Sequence, residues 1–230
     1  MGKIIAIGGG FGDDYAWDFA EYIMGLSGKE YPNYLEIPTT GYDSSPCDVG
    51  RYSKMGCDTD VLYLTHPYIT EELIAEKIRW ADVIHVPGGN LSFCLKTWKK
   101  TGVIKYLREA FDAGKVLFGE SSGSMCWFRQ GFDDCGPRGD FMFVDCTDII
   151  PYNNVPHYEG AFWHQFDEYA DKTSLSTIAC ENDTALCYID GKYSVKISPK
   201  RPDARVWFFD ANDGYRRYDL TQHPEILEKL

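Results

Sequence analysis

No apolar run in this chain approaches the roughly 20 residues needed to cross a bilayer, so a membrane-spanning segment is not expected. Basic residues are scarce: 23 Lys and Arg stand against 35 Asp and Glu, a formal net charge of −12. Nucleic acid selects basic stripes, which argues against that class of partner. A small substrate is not excluded, because one local cation can reverse the sign inside a pocket. The eight cysteines form no C-x-x-C pair, which removes zinc ribbons and thioredoxin-like motifs. H-E-x-x-H, an EF-hand loop and a close Cys/His set are all missing, so neither metal nor cofactor is expected. The chain also lacks internal repeats, low-complexity tracts and Gly/Ser or Pro-rich linkers. The segment Met1–Gly10 has neither the length nor the cleavage site of a secretory signal. A cytoplasmic protein with reduced, mostly buried cysteines is expected.

What remains is a chain of 230 residues, 44% hydrophobic, enough for one sizeable core. One α/β domain over residues 1–230 is expected. Short apolar runs alternate with helical periodicity. Strands are predicted at Ile4–Gly8, Tyr34–Pro38, Val61–Thr65, Asp82–Pro87 and Lys115–Gly119. Helices are predicted at Tyr15–Leu26, at Glu71–Trp80 with Thr70 as its cap, from Asn90 to about Ala113, and from Ser122 to Phe128. Near-continuous apolar strands, each followed by a helix, predict a mostly parallel sheet between two helical layers, a three-layer sandwich. Closely spaced pieces at Thr177–Cys180, Ala185–Ile189, Tyr193–Ile197 and Arg205–Phe209 suggest an antiparallel C-terminal extension of that sheet, with Pro224–Leu230 as a last helix. Ligands in such sheets sit at the carboxyl ends of the strands. That directs attention to Gly8–Asp14, Thr39–Asp48, Pro87–Ser92 and Gly119–Gly123.

The glycines after the first strand, Ile7-Gly8-Gly9-Gly10-Phe11-Gly12-Asp13-Asp14, suggest a dinucleotide loop. However, Asp13 stands where the last glycine of G-x-G-x-x-G belongs, and its charge would repel a pyrophosphate. These glycines are expected instead to let the loop pass close beneath a neighbouring site. Gly119-Glu120-Ser121-Ser122-Gly123 matches G-x-S-x-G between an apolar strand and a helix, the setting in which a serine is pushed out on a strained elbow. A plain strand-to-helix turn is the competing reading. Pro87-Gly88-Gly89-Asn90 ends the preceding strand and leaves backbone N–H groups free beside that elbow. Among the histidines, His85 lies inside a strand and reads as a satisfied core residue, while His223 looks exposed. His157, which follows a strand and Pro156, is the best base for a serine nucleophile.

Gly-Gly-Asn-Leu-Ser-Phe-Cys-Leu at 88–95, Gly-Glu-Ser-Ser-Gly-Ser at 119–124 and Pro-His at 156–157 resemble, in order and spacing, the peptidase E family of serine peptidases, family S51. These are the aspartyl dipeptidases, with cyanophycinases as distant relatives. The resemblance runs from Lys3 to about Ile189. It implies a class I glutamine amidotransferase-like (flavodoxin-like) fold, and a dipeptidase that hydrolyses small peptides through an acyl-enzyme. It also implies Ser121 as nucleophile, His157 as base, and the N–H groups of Gly89 and Ser122 as oxyanion hole. The chain would act on a small peptide as a monomer or homodimer.

Three departures from the family pattern stand out. Ser122 replaces the usual alanine, and Glu120 adds a negative charge beside the nucleophile. The acid expected before a Thr-Ala-Leu segment falls at Asn182 in Cys180-Glu181-Asn182-Asp183-Thr184-Ala185-Leu186, so the third member is open between Asn182 and Asp134, with Glu181, Asp183 and Asp133 as further options. The arginines that follow the histidine in aspartyl dipeptidases are missing from Tyr158–Phe166, leaving Arg129 and Arg138 as substitutes. A non-catalytic binding module on the same fold is the rival function, and a thiol route through Cys126 is a third.

Overall fold

The computed structural model describes residues 2–9, 17–44, 46 and 48–230. Five strands, β1 (Lys3–Ile7), β2 (Asn33–Glu36), β3 (Asp58–Val61), β4 (Val83–Val86) and β5 (Val116–Glu120), are linked by α1 (Trp17–Gly25), α2 (Val49–Lys54), α3 (Glu71–Trp80), α4 (Leu91–Thr101) and α5 (Val103–Asp112). After β5 come the single turn α6 (Ser122–Met125), β6 (Phe128–Asp133), β7 (Met142–Asp145), β8 (Ile150–Val155) and α7 (Gly160–Trp163). The chain ends through β9 (Thr177–Cys180), β10 (Thr184–Ile189), β11 (Lys192–Ile197), β12 (Val206–Asp210), β13 (Arg216–Asp219) and α8 (Pro224–Leu227). No described helix is long and apolar enough to cross a membrane.

The strands form two sheets. The first has the order β11-β10-β1-β5-β4-β2-β3, and its five strands β1 to β5 are mutually parallel. Side chains alternate across it: Ile5, Ile7, Tyr34, Val83, Val116 and Phe118 pack on one face with Phe19 and Ile23 of α1 and Tyr52 of α2. Ile4, Ala6, Leu35, Ile84, Val86 and Leu117 pack on the other with Ile74, Leu95, Trp98 and Leu107 of α3, α4 and α5. Helix, sheet and helix make the expected three-layer α/β sandwich. Local capping fixes two of the helices: Thr70 accepts from Leu73 N–H and Asn90 from Phe93 N–H.

The second sheet, β13-β12-β9-β8-β6-β7, was not anticipated. Phe128, Ile150, Ile178 and Phe208 of its strands join the same core as α3 to α5, so it extends that layer. Of the four late strand-like pieces, only β10 and β11 extend the first sheet antiparallel; β9 and β12 belong to the second. The helix predicted over Ser122–Phe128 stops at Met125. The carbonyls of Cys126 and Trp127 accept N–H bonds from Thr147, Ile149 and Ile150, which draws the chain out into β6. The third strand also starts earlier than predicted. It is an edge of the sheet, and its Asp58-Thr59-Asp60 is the polar pattern that keeps an edge from pairing further.

Candidate active site

β5 ends at Glu120 and the chain turns sharply at Ser121, whose backbone sits at φ 55°, ψ −126°. That is a costly conformation for a residue with a Cβ, and it lifts Oγ off the end of the sheet. The turn fits because of Gly123: a Cβ there would lie 1.8 Å from the carbonyl oxygen of Val86. Ser121 Oγ lies 2.8 Å from Nε2 of His157. His157 follows β8, so the second sheet delivers it to the carboxyl edge of the first. Its N–H donates to Gly8 O at 2.8 Å, and its ring lies against Gly9, where a Cβ would come within 2.1 Å of Cε1. Gly8 and Gly9 therefore do pass close against a neighbouring site, as read from the sequence. Gly10–Asp14 of that loop, and Ser45 and Cys47 of the loop after β2, lie outside the described residues.

On the far side of the ring, Nδ1 donates to Oδ1 of Asn182 at 2.6 Å, which leaves Nε2 to accept from the Ser121 hydroxyl. Burial pushes the His157 pKa below its ordinary value, against the Asn182 hydrogen bond and the charges of Glu159, Asp134 and Glu120. Asp134, the other residue considered for this position, is exposed beyond the end of β6, and His157 Nδ1 is held by Asn182 instead. Glu181 turns to Arg205 N–H and Trp207 Nε1, and Asp183 to Arg201. Asp133 is buried, and its Oδ2 lies 3.1 Å from Ser122 Oγ. Trp163 of α7 packs on the imidazole at 5.3 Å between ring centres.

Beside the elbow, Gly88 and Gly89 link β4 to α4. Among the described residues, neither Gly89 N–H nor Ser122 N–H donates a hydrogen bond. The Ser122 hydroxyl, where the family has alanine, lies 2.7 Å from Gly89 O and so ties the two loops together. Glu120 does not turn toward the nucleophile. Following Phe118 on the alternating strand, it points under the sheet, where Oε2 meets His85 Nε2 at 2.8 Å and Oε1 accepts Gly88 N–H at 3.2 Å. His85 Nδ1 is 2.6 Å from the Tyr34 hydroxyl, so both ring nitrogens are occupied. Burial disfavours the charged ring, but Glu120, then Glu36 and Asp48, outweigh it and raise the His85 pKa. Asp48, His85 and Glu120 bring ligand-type atoms within 4.8 Å of one another, yet His85 has no free nitrogen for a metal.

The substitute arginines are elsewhere. Arg129 is exposed and paired with Asp148 at 2.7 Å, and Arg138 is exposed on the turn after β6. The guanidinium that reaches the site is Arg201, bonded to Glu159 at 2.9 Å. Neither residue was singled out in the sequence; Glu159 is flagged only by standing two positions after His157, and Arg201 by nothing. Cys126 is fully buried with its sulfur 2.9 Å from Gly123 O, and burial pushes its thiol far up, the state of an inert cysteine. The seven described cysteines are free.

The profile of peptidase family S51 matches residues 4–196. The chain belongs to peptidase family S51. It is 30% identical over 212 residues to the peptidase YgaJ of Bacillus subtilis (strain 168), covering 87% of this chain and 89% of that protein. It is 31% identical over 187 residues to the peptidase Lmo0363 of Listeria monocytogenes, covering 76% and 88%. The fold of this S51 chain matches the crystal structure of a peptidase from an acI-B1 Actinobacterium at TM-score 0.72 and 19% identity, over 96% and 94% of the two chains. It matches a Listeria monocytogenes EGD-e protein assigned to peptidase E at TM-score 0.66 and 17% identity, over 86% and 98%. The protein is a peptidase of family S51.

Proposed function

We propose that this S51 peptidase hydrolyses small peptides through a serine acyl-enzyme. The observation that carries the reading is the 2.8 Å approach of Ser121 Oγ to His157 Nε2 from a strained elbow. Nε2 takes the hydroxyl proton as Oγ attacks the peptide carbonyl, and the C–N bond breaks as the same nitrogen returns that proton to the leaving amine. Water, deprotonated by Nε2, then releases the acyl group. The N–H groups of Gly89 and Ser122 receive the oxyanion; removing one such donor typically costs about 10²–10³ in rate. Asn182, rather than Asp134, is the third member in this reading. It orients the ring, as an amide does in Cys-His-Asn peptidases. The chain would act in the cytoplasm, where free cysteines persist, as a monomer or homodimer.

The test is hydrolysis of a dipeptide panel, Asp-X beside Glu-X, Gly-X and Ala-X, by wild type and Ser121→Ala, with fluorophosphonate labelling alongside. Turnover and labelling by the wild type, with loss of at least about 10⁴-fold in Ser121→Ala, are expected. A folded wild type that neither turns over nor labels would instead be a ligand-binding member of the family. With the family arginines missing from Tyr158–Phe166, Asp-X is expected to hold no strong advantage in the panel.

A further inference from the structure

An amide in the third position has a weakness that a carboxylate lacks. Only its oxygen can accept from Nδ1–H, and a half-turn about the last bond would present NH₂ instead. The imidazole would then have to carry its proton on Nε2, and Nε2 could no longer take the proton of Ser121. Asn182 is fully buried in the turn between β9 and β10, so solvent does not choose its orientation. Glu159 does. Nδ2 of Asn182 donates to Oε1 of Glu159, and a carboxylate can only accept, so the amide oxygen must face the ring. Glu159 is itself fixed by a two-pronged contact from Arg201, Nη2 to Oε2 at 2.9 Å and Nη1 to Oε1 at 3.2 Å. Arg201 also reaches Asp183 Oδ2 at 3.5 Å. The partners run in one line from nucleophile to cation: Ser121, His157, Asn182, Glu159, Arg201.

We infer that Glu159 is a positioning residue of the active site, locking the Asn182 amide and with it the tautomer of His157, and lending its charge to the imidazolium through that amide. The inference rests on the serine reading above. It divides between two elements a task that one carboxylate performs in a Ser-His-Asp site: Asn182 supplies the contact and Glu159 the charge. The other charges felt by the ring are Asp134, just past β6, and Glu120 on β5, and they touch neither the amide nor Glu159 among the described residues.

The test measures the rate at which a fluorophosphonate labels Ser121 in the full chain, from pH 4.5 to 9, with folding followed by circular dichroism. Glu159→Gln is expected to lower the plateau rate by about 10–100-fold and to move the acid limb to lower pH, because a negative charge near the imidazolium is gone. Asn182→Asp alone sets two carboxylates face to face and also lowers the plateau. The double variant E159Q/N182D exchanges their roles, the new side-chain amide donating to the new carboxylate. It should recover most of the loss, with an acid limb above that of wild type. A structural role for Glu159 would lower stability without moving the limb or coupling to position 182. Should Glu159→Gln unfold, Glu159→Asp tests the same point: it keeps a charge for Arg201, draws back from the amide, and should lower the plateau. Glu159→Gln labelling like wild type, or a double variant no faster than Glu159→Gln, overturns the inference while leaving the serine reading intact. A folded wild type that is not labelled at any pH removes both.

Discussion

Ser121 is held where a side chain is unwelcome, and the strain has a measurable size. Non-glycine residues in such regions cost about 1–3 kcal/mol and persist only where the surroundings over-determine them. Here the surroundings are Ile7 O, which accepts Ser121 N–H at 3.2 Å, and the backbone of Val86 and Pro87 closing on Gly123. Ser121→Ala and Ser121→Gly both lose the hydroxyl contact to His157, but only glycine relieves the backbone. Urea unfolding should therefore show Ser121→Gly more stable than Ser121→Ala by about 1 kcal/mol, the ordinary preference in helices and strands reversed. Equal stabilities would mean that the elbow stores no strain. At this scale the sequence was informative where chemistry repeats in a short motif. Ser121, Gly89 and His157 stand in recognisable neighbourhoods, whereas Arg201 meets Glu159 across 42 residues with no local pattern to announce it.

The elements that form the site differ in how well they could be read. Strands β1, β4 and β5 are buried on both faces and therefore appear as near-continuous apolar runs, so the sequence placed them within a residue or two. Strands β6 and β8 carry Arg129, Gln130, Asn153 and Asn154, and β7 is partly exposed. Nothing in their periodicity separates β6 and β7 from loop, whereas the strand ahead of Pro156 and His157 is legible and is β8. The loop after β1 shows the reverse, a weak motif with a definite structural reason. Gly9 has φ 121°, its carbonyl accepts Asp183 N–H at 2.7 Å, and a Cβ would fall 2.4 Å from His157 Nδ1 and 3.0 Å from Asn182 Oδ1. Gly9→Ala should displace the imidazole from Ser121. A shift of about 1 Å in a reacting group costs on the order of 10²-fold, so fluorophosphonate labelling should slow by that amount in a protein whose far-ultraviolet circular dichroism is unchanged. Labelling at the wild-type rate would show that the loop can yield.

Across the whole molecule, the site exists only because two sheets meet. Ser121 and Gly89 follow β5 and β4 of the first sheet, His157 follows β8 of the second, and Asn182 lies where β9 of the second hands the chain to β10 of the first. The sequence names Ser121 and His157 one by one, but that a second sheet carries the histidine to the elbow appears only in the fold. Asp133 spans that junction: it ends β6, is buried, and touches Ser122, whose hydroxyl in turn reaches Gly89 O. Burial pushes its carboxyl up from 3.8 to about 6, with hydrogen bonds from Cys135 and Ser122 opposing. Stability then depends on where the proton sits. Below about pH 4 the group is protonated folded and unfolded alike. Between there and about pH 6 the folded state keeps a proton that the unfolded state has released, so stability falls as pH rises. Above about pH 6 the cost of the buried charge is complete, at most about 3 kcal/mol for a shift of this size. Asp133→Asn keeps the shape and removes the charge. Its unfolding free energy should match wild type near pH 4 and exceed it by about 1–3 kcal/mol at pH 7.5, with the difference opening between those values. A gap of equal size at both pH values would place the effect in packing, and the carboxylate would then be no electrostatic burden on the junction of the two sheets.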